Sequence, residues 1–140
     1  MSYPQQLTPE QQLGAAKKRL NIPHTVVICG STRFMAEMAQ ADLRETVAGR
    51  IVLKPGFDMK SPHGLSIDPA VTEDEADAQA QVQALKVRLG ELHRAKIRLA
   101  DEVLVVGDYI GDSTRAEIAY ARSLGKPVRF THPEVAPDAQ

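Results

Sequence analysis

Two short stretches of this chain gather residues able to do chemistry. The first is Gly30-Ser31-Thr32-Arg33, entering a predicted helix. Backbone N–H groups left free at a helix start attract anions, and an arginine adds a forked, permanent positive charge. One reading is a phosphate or sugar cradle. The plainer one is a tight turn at Gly30 with Ser31 or Thr32 capping the helix. The glycines and lysine of a Walker loop or a dinucleotide fingerprint are absent. The second stretch is Gly111-Asp112-Ser113-Thr114-Arg115-Ala116-Glu117. Read in the first turn of its helix, Glu117 is kept ionised by the helix dipole and nearby N–H groups. A carboxylate held charged at the mouth of a cleft suits a nucleophile or an electrostatic partner for an oxocarbenium ion. Thr114-x-x-Glu117 also spells a capping box, which needs no chemistry at all.

Other side chains are weaker signals. His93 sits near one edge of an apolar helical stripe, where it either handles protons or packs. Lys96 falls within that stripe, and a stem that snorkels to water is the common explanation. Tyr109 either stacks on a base or is an exposed loop residue. Asp58, His63 and Asp68 match no recognised metal spacing. Cys29 reads as a small buried apolar residue, and His24 and His132 carry no signal.

The elements that must position these residues follow from pattern. Thr25–Cys29, Ile51–Leu53, Glu102–Val106 and Lys126–Phe130 read as strands, mostly continuous apolar runs. Helices are predicted over Phe34–Ala48, Gln79–Ala100 and Thr114–Leu124. The first of these has Phe34, Met38, Ala41, Val47 and Ala48 on its apolar side; the second carries a stripe through Val82, Leu85, Leu89, Leu92 and Leu99. An earlier helix starts at a Thr8–Gln11 capping box with Pro9 at its first position and runs to about Leu20, as an appendage. Between Pro55 and Ala78 lies a long loop rich in Pro, Gly, Asp and Ser. The order βαβαβαβ predicts an α/β fold: an open parallel sheet of four to five strands, order 2-1-3-4, with helices on both faces, flavodoxin/Rossmann-like. Its proline and arginine put the last strand at an edge. Residues 1–24 are then a polar tail and helix, 25–132 the domain, and 133–140 a second tail.

In such sheets ligands bind beyond the carboxyl ends of the strands, where strand order reverses. With this order the reversal lies between the first and third strands. Their exit loops are Gly30–Arg33 and Gly107–Ser113, which are also the loops densest in Gly, Ser, Thr, Asp and Arg. The candidate binding set is therefore Gly30, Ser31, Thr32, Arg33, Asp108, Tyr109, Asp112, Ser113 and Thr114, beside Glu117 and His93. Asp101 falls at the opposite end, where a structural role is expected.

Bulk properties narrow the classes. A chain of 140 residues fits one core. A net charge of −1 gives no basic surface for polymeric nucleic acid or an anionic membrane. The single cysteine allows neither an intrachain disulfide nor a Cys-based metal cage. No apolar run approaches the roughly 20 residues of a membrane span, and the first residues lack a signal pattern, so a cytoplasmic location is expected.

Taken together, these segments resemble the nucleoside 2-deoxyribosyltransferases and the related 2'-deoxynucleoside 5'-phosphate N-hydrolases, over about residues 25–130. The likeness rests on Ile28-Cys29-Gly30-Ser31-Thr32-Arg33; on His93-x-x-x-Ile97-x-x-x-Asp101 before an apolar strand; and on Ser113-Thr114-Arg115-Ala116-Glu117 leading into Ile118-Ala119-Tyr120-Ala121 and Gly125-Lys126-Pro127-Val128. The resemblance implies cleavage of an N-glycosidic bond with Glu117 as nucleophile and His93 in the position that handles the leaving base. It implies a nucleoside or nucleotide ligand held by the Gly30–Arg33 loop, no metal or organic cofactor, and assembly as a homodimer or larger. Two positions depart from the family pattern: His93 stands where the family usually carries Asp, and Ser113 where it often has Gly. A nucleotide-binding module without chemistry, or a protein that docks partners along its long helix, are the alternative expectations.

Overall fold

Side chains on successive residues of a strand point to opposite faces, so a run buried at every position must be covered on both sides. Thr25–Cys29 is such a run, and it forms β1. The computed structural model describes residues 6–56 and 75–137, with side chains from residue 77 in the second span. The remaining elements are α1 (Pro9–Arg19), α2 (Met35–Val47), β2 (Ile51–Leu53), α3 (Glu75–Leu99), β3 (Glu102–Val105), α4 (Asp112–Ser123) and β4 (Val128–Phe130). The sheet is parallel throughout, in the order β2-β1-β3-β4. Val27 is paired with Leu53 on one side and Val103 on the other. The expected α/β class, strand order and edge position of the last strand are all present, with four strands.

Alternation along β1 and β3 divides the core into two layers. Val27, Cys29, Val103 and Val105 meet Ile97 near the end of α3, Ala100 just after it, and Ile118 and Ala121 of α4. Val26, Ile28, Leu104 and Val106 meet Met38 and Ala41 of α2. Cys29 therefore faces α3 and α4. The sulfur's position is dictated by strand parity, as the last residue of β1 on that side.

Three details differ from the pattern-based expectation. Val47 is 79% exposed, and the third buried position of α2 is Glu45. The buried stripe of α3 runs through His93, Ile97 and the following Ala100, while Leu92 and Leu99 are about half exposed. The stripe is thus rotated, and His93 lies at its centre instead of its edge. Finally, α3 begins at Glu75 instead of Gln79, so part of the expected loop is helix; Asp58, His63 and Asp68 lie outside the described residues.

At the end of the sheet where the strands begin, charged groups form a clasp. The α1 capping box is present, with Thr8 and Gln11 satisfying each other's backbone N–H groups. Further along α1, the Lys17 ammonium lies 2.9 Å from Asp101 and donates to the carbonyl of Leu99. Asp101 also accepts from the backbone of Thr25 at 2.8 Å, which gives it the structural role expected. His24 and Arg129 both contact Glu102, and Arg129 and Arg50 converge on the buried Glu45. Burial opposes charge on Glu45, Glu102 and Asp101, but hydrogen bonds from Arg129 and Arg50, from Arg129 and His24, and from Lys17 and Thr25 outweigh it. All three carboxyls are held below their ordinary values.

A pH dependence follows. Carboxyls whose folded pKa lies below the unfolded one contribute stability that is present above the unfolded value and lost as pH falls through the folded value. The unfolded references are 3.8 for Asp and 4.5 for Glu. The denaturant midpoint should therefore drop steeply from about pH 4.5 downward. Glu45→Gln should weaken the fold at neutral pH and flatten that acid limb. An acid limb as steep as in the parent protein would remove Glu45 from the account.

Candidate active site

Beyond the other ends of β1 and β3 lies a cleft of about 660 Å³. That size is typical of small-molecule sites. Its walls are the β1 exit loop (Gly30, Ser31, Thr32), Pro55 and Gly56 after β2, one side of α3 from Gln83 to Lys96, and the start of α4 with Tyr109. The cleft sits where strand order reverses, as the topology requires.

Local geometry explains how each wall is held. Gly30 has φ +145°, a conformation that L side chains rarely adopt, and its missing Cβ makes room for the carbonyl of Val106. Ser31 Oγ accepts from the Arg33 backbone N–H at 3.4 Å and starts a short 3₁₀ turn, Thr32–Phe34. Arg33 then folds back: its Nε donates to Ser31 Oγ, and its guanidinium lies 4.3 Å from the centroid of the Tyr109 ring. Such stacking is favourable and fixes both side chains at the rim. Lys96 donates to the Lys54 carbonyl at 2.8 Å, which ties α3 to the end of β2. That contact, made where the ammonium is still partly open to water, is why a charge is tolerated in the stripe.

Among the residues expected from sequence, Gly30, Ser31, Thr32, Tyr109, Asp112, Ser113, Thr114, His93 and Glu117 line the cleft. Arg33 and Asp108 are not part of its lining. Thr114 is buried, whereas Asp112 and Ser113 are exposed at the mouth.

Glu117 is not where the capping pattern puts it. Helix α4 starts at Asp112, with Gly111 as a cap that offers no side chain. Glu117 is thus the sixth helical residue, in the second turn, and Thr114 and Glu117 form no capping box. An earlier helix start moves the carboxyl away from the free N–H groups and under the cleft. Burial replaces the dipole as the dominant influence. It pushes the Glu117 carboxyl up to about 7, against the Cys29 hydrogen bond and the Arg94 charge, which pull it down. At neutral pH this group is part protonated, in contrast to the fully ionised state expected from a helix start.

Around Glu117 stand two partners from two other elements. His93 Nε2 of α3 is 3.7 Å from Glu117 Oε2, and the same nitrogen is 3.3 Å from Cys29 Sγ at the end of β1. His93 Nδ1 is buried with no hydrogen-bond partner among the described residues. Burial, with the Lys96 charge adding to it, pushes the imidazole down to about 4, so His93 is neutral at physiological pH. Burial and then Glu117 push the Cys29 thiol well above its ordinary value. The placement of Cys29 was not legible as function: one buried cysteine at a strand end looks the same whether or not a helix delivers a histidine to it.

No protein-family model, curated protein or solved structure matches this chain. What the geometry defines by itself is a class: an open, parallel, four-stranded α/β protein with a cleft at its topological switch point and a carboxyl group at the floor. Among the described residues no helix is long and apolar enough to cross a membrane.

Proposed function

We propose that the protein cleaves the N-glycosidic bond of a nucleoside or nucleoside 5'-monophosphate, with Glu117 as nucleophile, in the manner of the family its motifs resemble. The observation that carries this reading is the position of Glu117: a carboxyl 23% exposed, at the floor of a cleft otherwise walled by loops and helices. Its ionised form attacks the anomeric carbon, the C–N bond breaks, and the electron pair leaves with the base, which takes up a proton. Water, or a second base, then displaces the glutamate and frees the sugar.

Roles for the neighbours follow from their surroundings. A neutral, buried imidazole is a poor proton source at pH 7, so His93 positions the carboxyl instead of protonating the leaving base. Asp112, exposed at the mouth and lining the cleft, is the group placed to handle that proton through water. Ser31 and Thr32 face the sugar end. Tyr109, which lines the cleft and is held by Arg33 from outside the lining, offers a ring on which a base rests. The reading carries a cytoplasmic enzyme that needs no metal or organic cofactor and works as a homodimer or larger assembly.

One test decides this. A panel of ribo- and deoxyribonucleosides and their 5'-monophosphates is incubated with the protein in the presence of a chelator and separated chromatographically. Free base should appear from at least the deoxynucleotides. A panel that returns unchanged, whatever its members, defeats the proposal. One observation favours a second reading, a binding module without turnover: His93, where the family carries an acid, is held neutral. Saturable nucleotide binding with no base released would establish that reading instead.

A further inference from the structure

The convergence of Cys29, His93 and Glu117 has a geometry that a proton relay does not need. In a nucleophile–histidine–carboxylate relay the two partners occupy different ring nitrogens. Here both the sulfur and the carboxylate oxygen approach Nε2, while Nδ1 has no partner among the described residues. The three donor atoms all lie within 4.8 Å of one another, and each comes from a different element. With metal–ligand distances of about 2.3 Å to sulfur and about 2.0–2.2 Å to nitrogen and oxygen, the edges of a zinc tetrahedron are roughly 3.3–3.6 Å. The observed separations of 3.3 Å from sulfur to nitrogen and 3.7 Å from nitrogen to oxygen lie within about 0.3 Å of the roughly 3.5 and 3.4 Å those two edges take, a shift that side-chain rotation covers. His93 is 91% buried and Cys29 fully buried, so two of the three donors are shielded from bulk solvent. The fourth side of the site faces the cleft, which gives the three-ligand, one-open-position pattern of accessible zinc sites.

We propose that Cys29, His93 and Glu117 form a binding site for a zinc-class divalent cation, with the fourth position open to the cleft. The mixed sulfur, nitrogen and oxygen set selects zinc or cobalt over magnesium or calcium, which prefer all-oxygen shells. Binding releases the thiol proton to solvent and makes a metal–thiolate bond. It also takes the carboxylate of Glu117 as a ligand. If Glu117 is the nucleophile, a consequence that rests on the reading above, the bound cation shuts off glycosidic cleavage. The motif is dispersed over 89 positions, so no local spacing announces it in the sequence.

Cobalt(II) is the probe, because a thiolate ligand gives a charge-transfer band in the near ultraviolet that nitrogen and oxygen ligands do not. Titration of the full chain should show one equivalent bound with that band, and zinc should displace it. Cys29→Ala should abolish the band. His93→Gln should weaken zinc binding by more than the roughly 10–100-fold that loss of an outer-sphere partner costs. Circular dichroism establishes that each variant is folded, and if Cys29→Ala is not, Cys29→Ser, which keeps the shape and cannot form a thiolate bond, should likewise show no band. Absence of the band in the parent protein, or its persistence in Cys29→Ala, overturns the proposal. The two readings separate cleanly. A bound cation in a protein that releases no base under chelation leaves the metal site standing and removes the glycosidase. Base release under chelation with no cobalt bound does the reverse. Base release that zinc stimulates overturns the inhibitory role.

Discussion

Glu117→Gln should abolish base release and, at the same time, make the protein harder to unfold at pH 8. On the proposed mechanism Glu117 is the nucleophile, so its loss removes the covalent route, and a fall of at least about 1000-fold is expected. The gain in stability comes from the same burial. A carboxyl with a folded pKa of about 7 and an unfolded value of 4.5 binds more protons folded than unfolded across that interval. The fold is therefore strained by this group as pH rises from 4.5 through 7, in full above 7. Glutamine keeps the shape and drops the charge, for a gain on the order of 2 kcal/mol at pH 8 that shrinks toward pH 5. Paired denaturant titrations at the two pH values, with chelator present, measure it. On the proposed mechanism the parent protein's rate of base release should rise with pH through about 7 as the carboxyl ionises. Equal stability of the two proteins at pH 8 would mean the carboxyl is better solvated than its surroundings indicate, and undiminished turnover in the variant would end the mechanism.

Gly30→Ala should cost at least about 3 kcal/mol, combining the penalty of a forbidden backbone region with that of overpacking. An added Cβ would sit 2.6 Å from the Val106 carbonyl oxygen and 3.3 Å from Met38 Cε. The oxygen cannot retreat easily, because the Gly107 N–H of the same peptide unit donates to Thr131 Oγ1 at 3.0 Å and fixes that peptide. Gly49 supplies the control. Its φ is +88° with nothing within 4 Å of a built Cβ, so Gly49→Ala carries backbone strain alone. A denaturation experiment that finds the two variants equally destabilised would show that space at the β1–β3 crossing is not limiting.

The legible part of this protein is the part that periodicity governs. Runs such as Val26-Val27-Ile28 and Val103-Leu104-Val105 can be buried only in the middle of a covered parallel sheet, and order plus the edge signals of Pro127 and Arg129 then place the cleft. What escaped was set by rotation and by two residues of helix start. Leucines at helical spacing drew the α3 stripe too far toward Leu92 and Leu99, when the surface actually covered is that of His93 and Ile97. Helix α4 begins before its serine and threonine, so a pattern that spells a cap instead delivers a buried acid. Glu45 was invisible because its burial depends on two arginines, one of them 84 positions away.

The clasp and the cleft occupy opposite rims of one sheet, and that separation bears on how readily such a protein acquires new preferences. Several cleft residues of α3, among them Gln83, Lys86 and Val87, are partly or wholly solvent-facing. Replacements at such positions typically alter stability by less than about 0.5 kcal/mol. Descendants of this chain are thus free to try new occupants at one rim while the ion pairs at the other keep the scaffold intact.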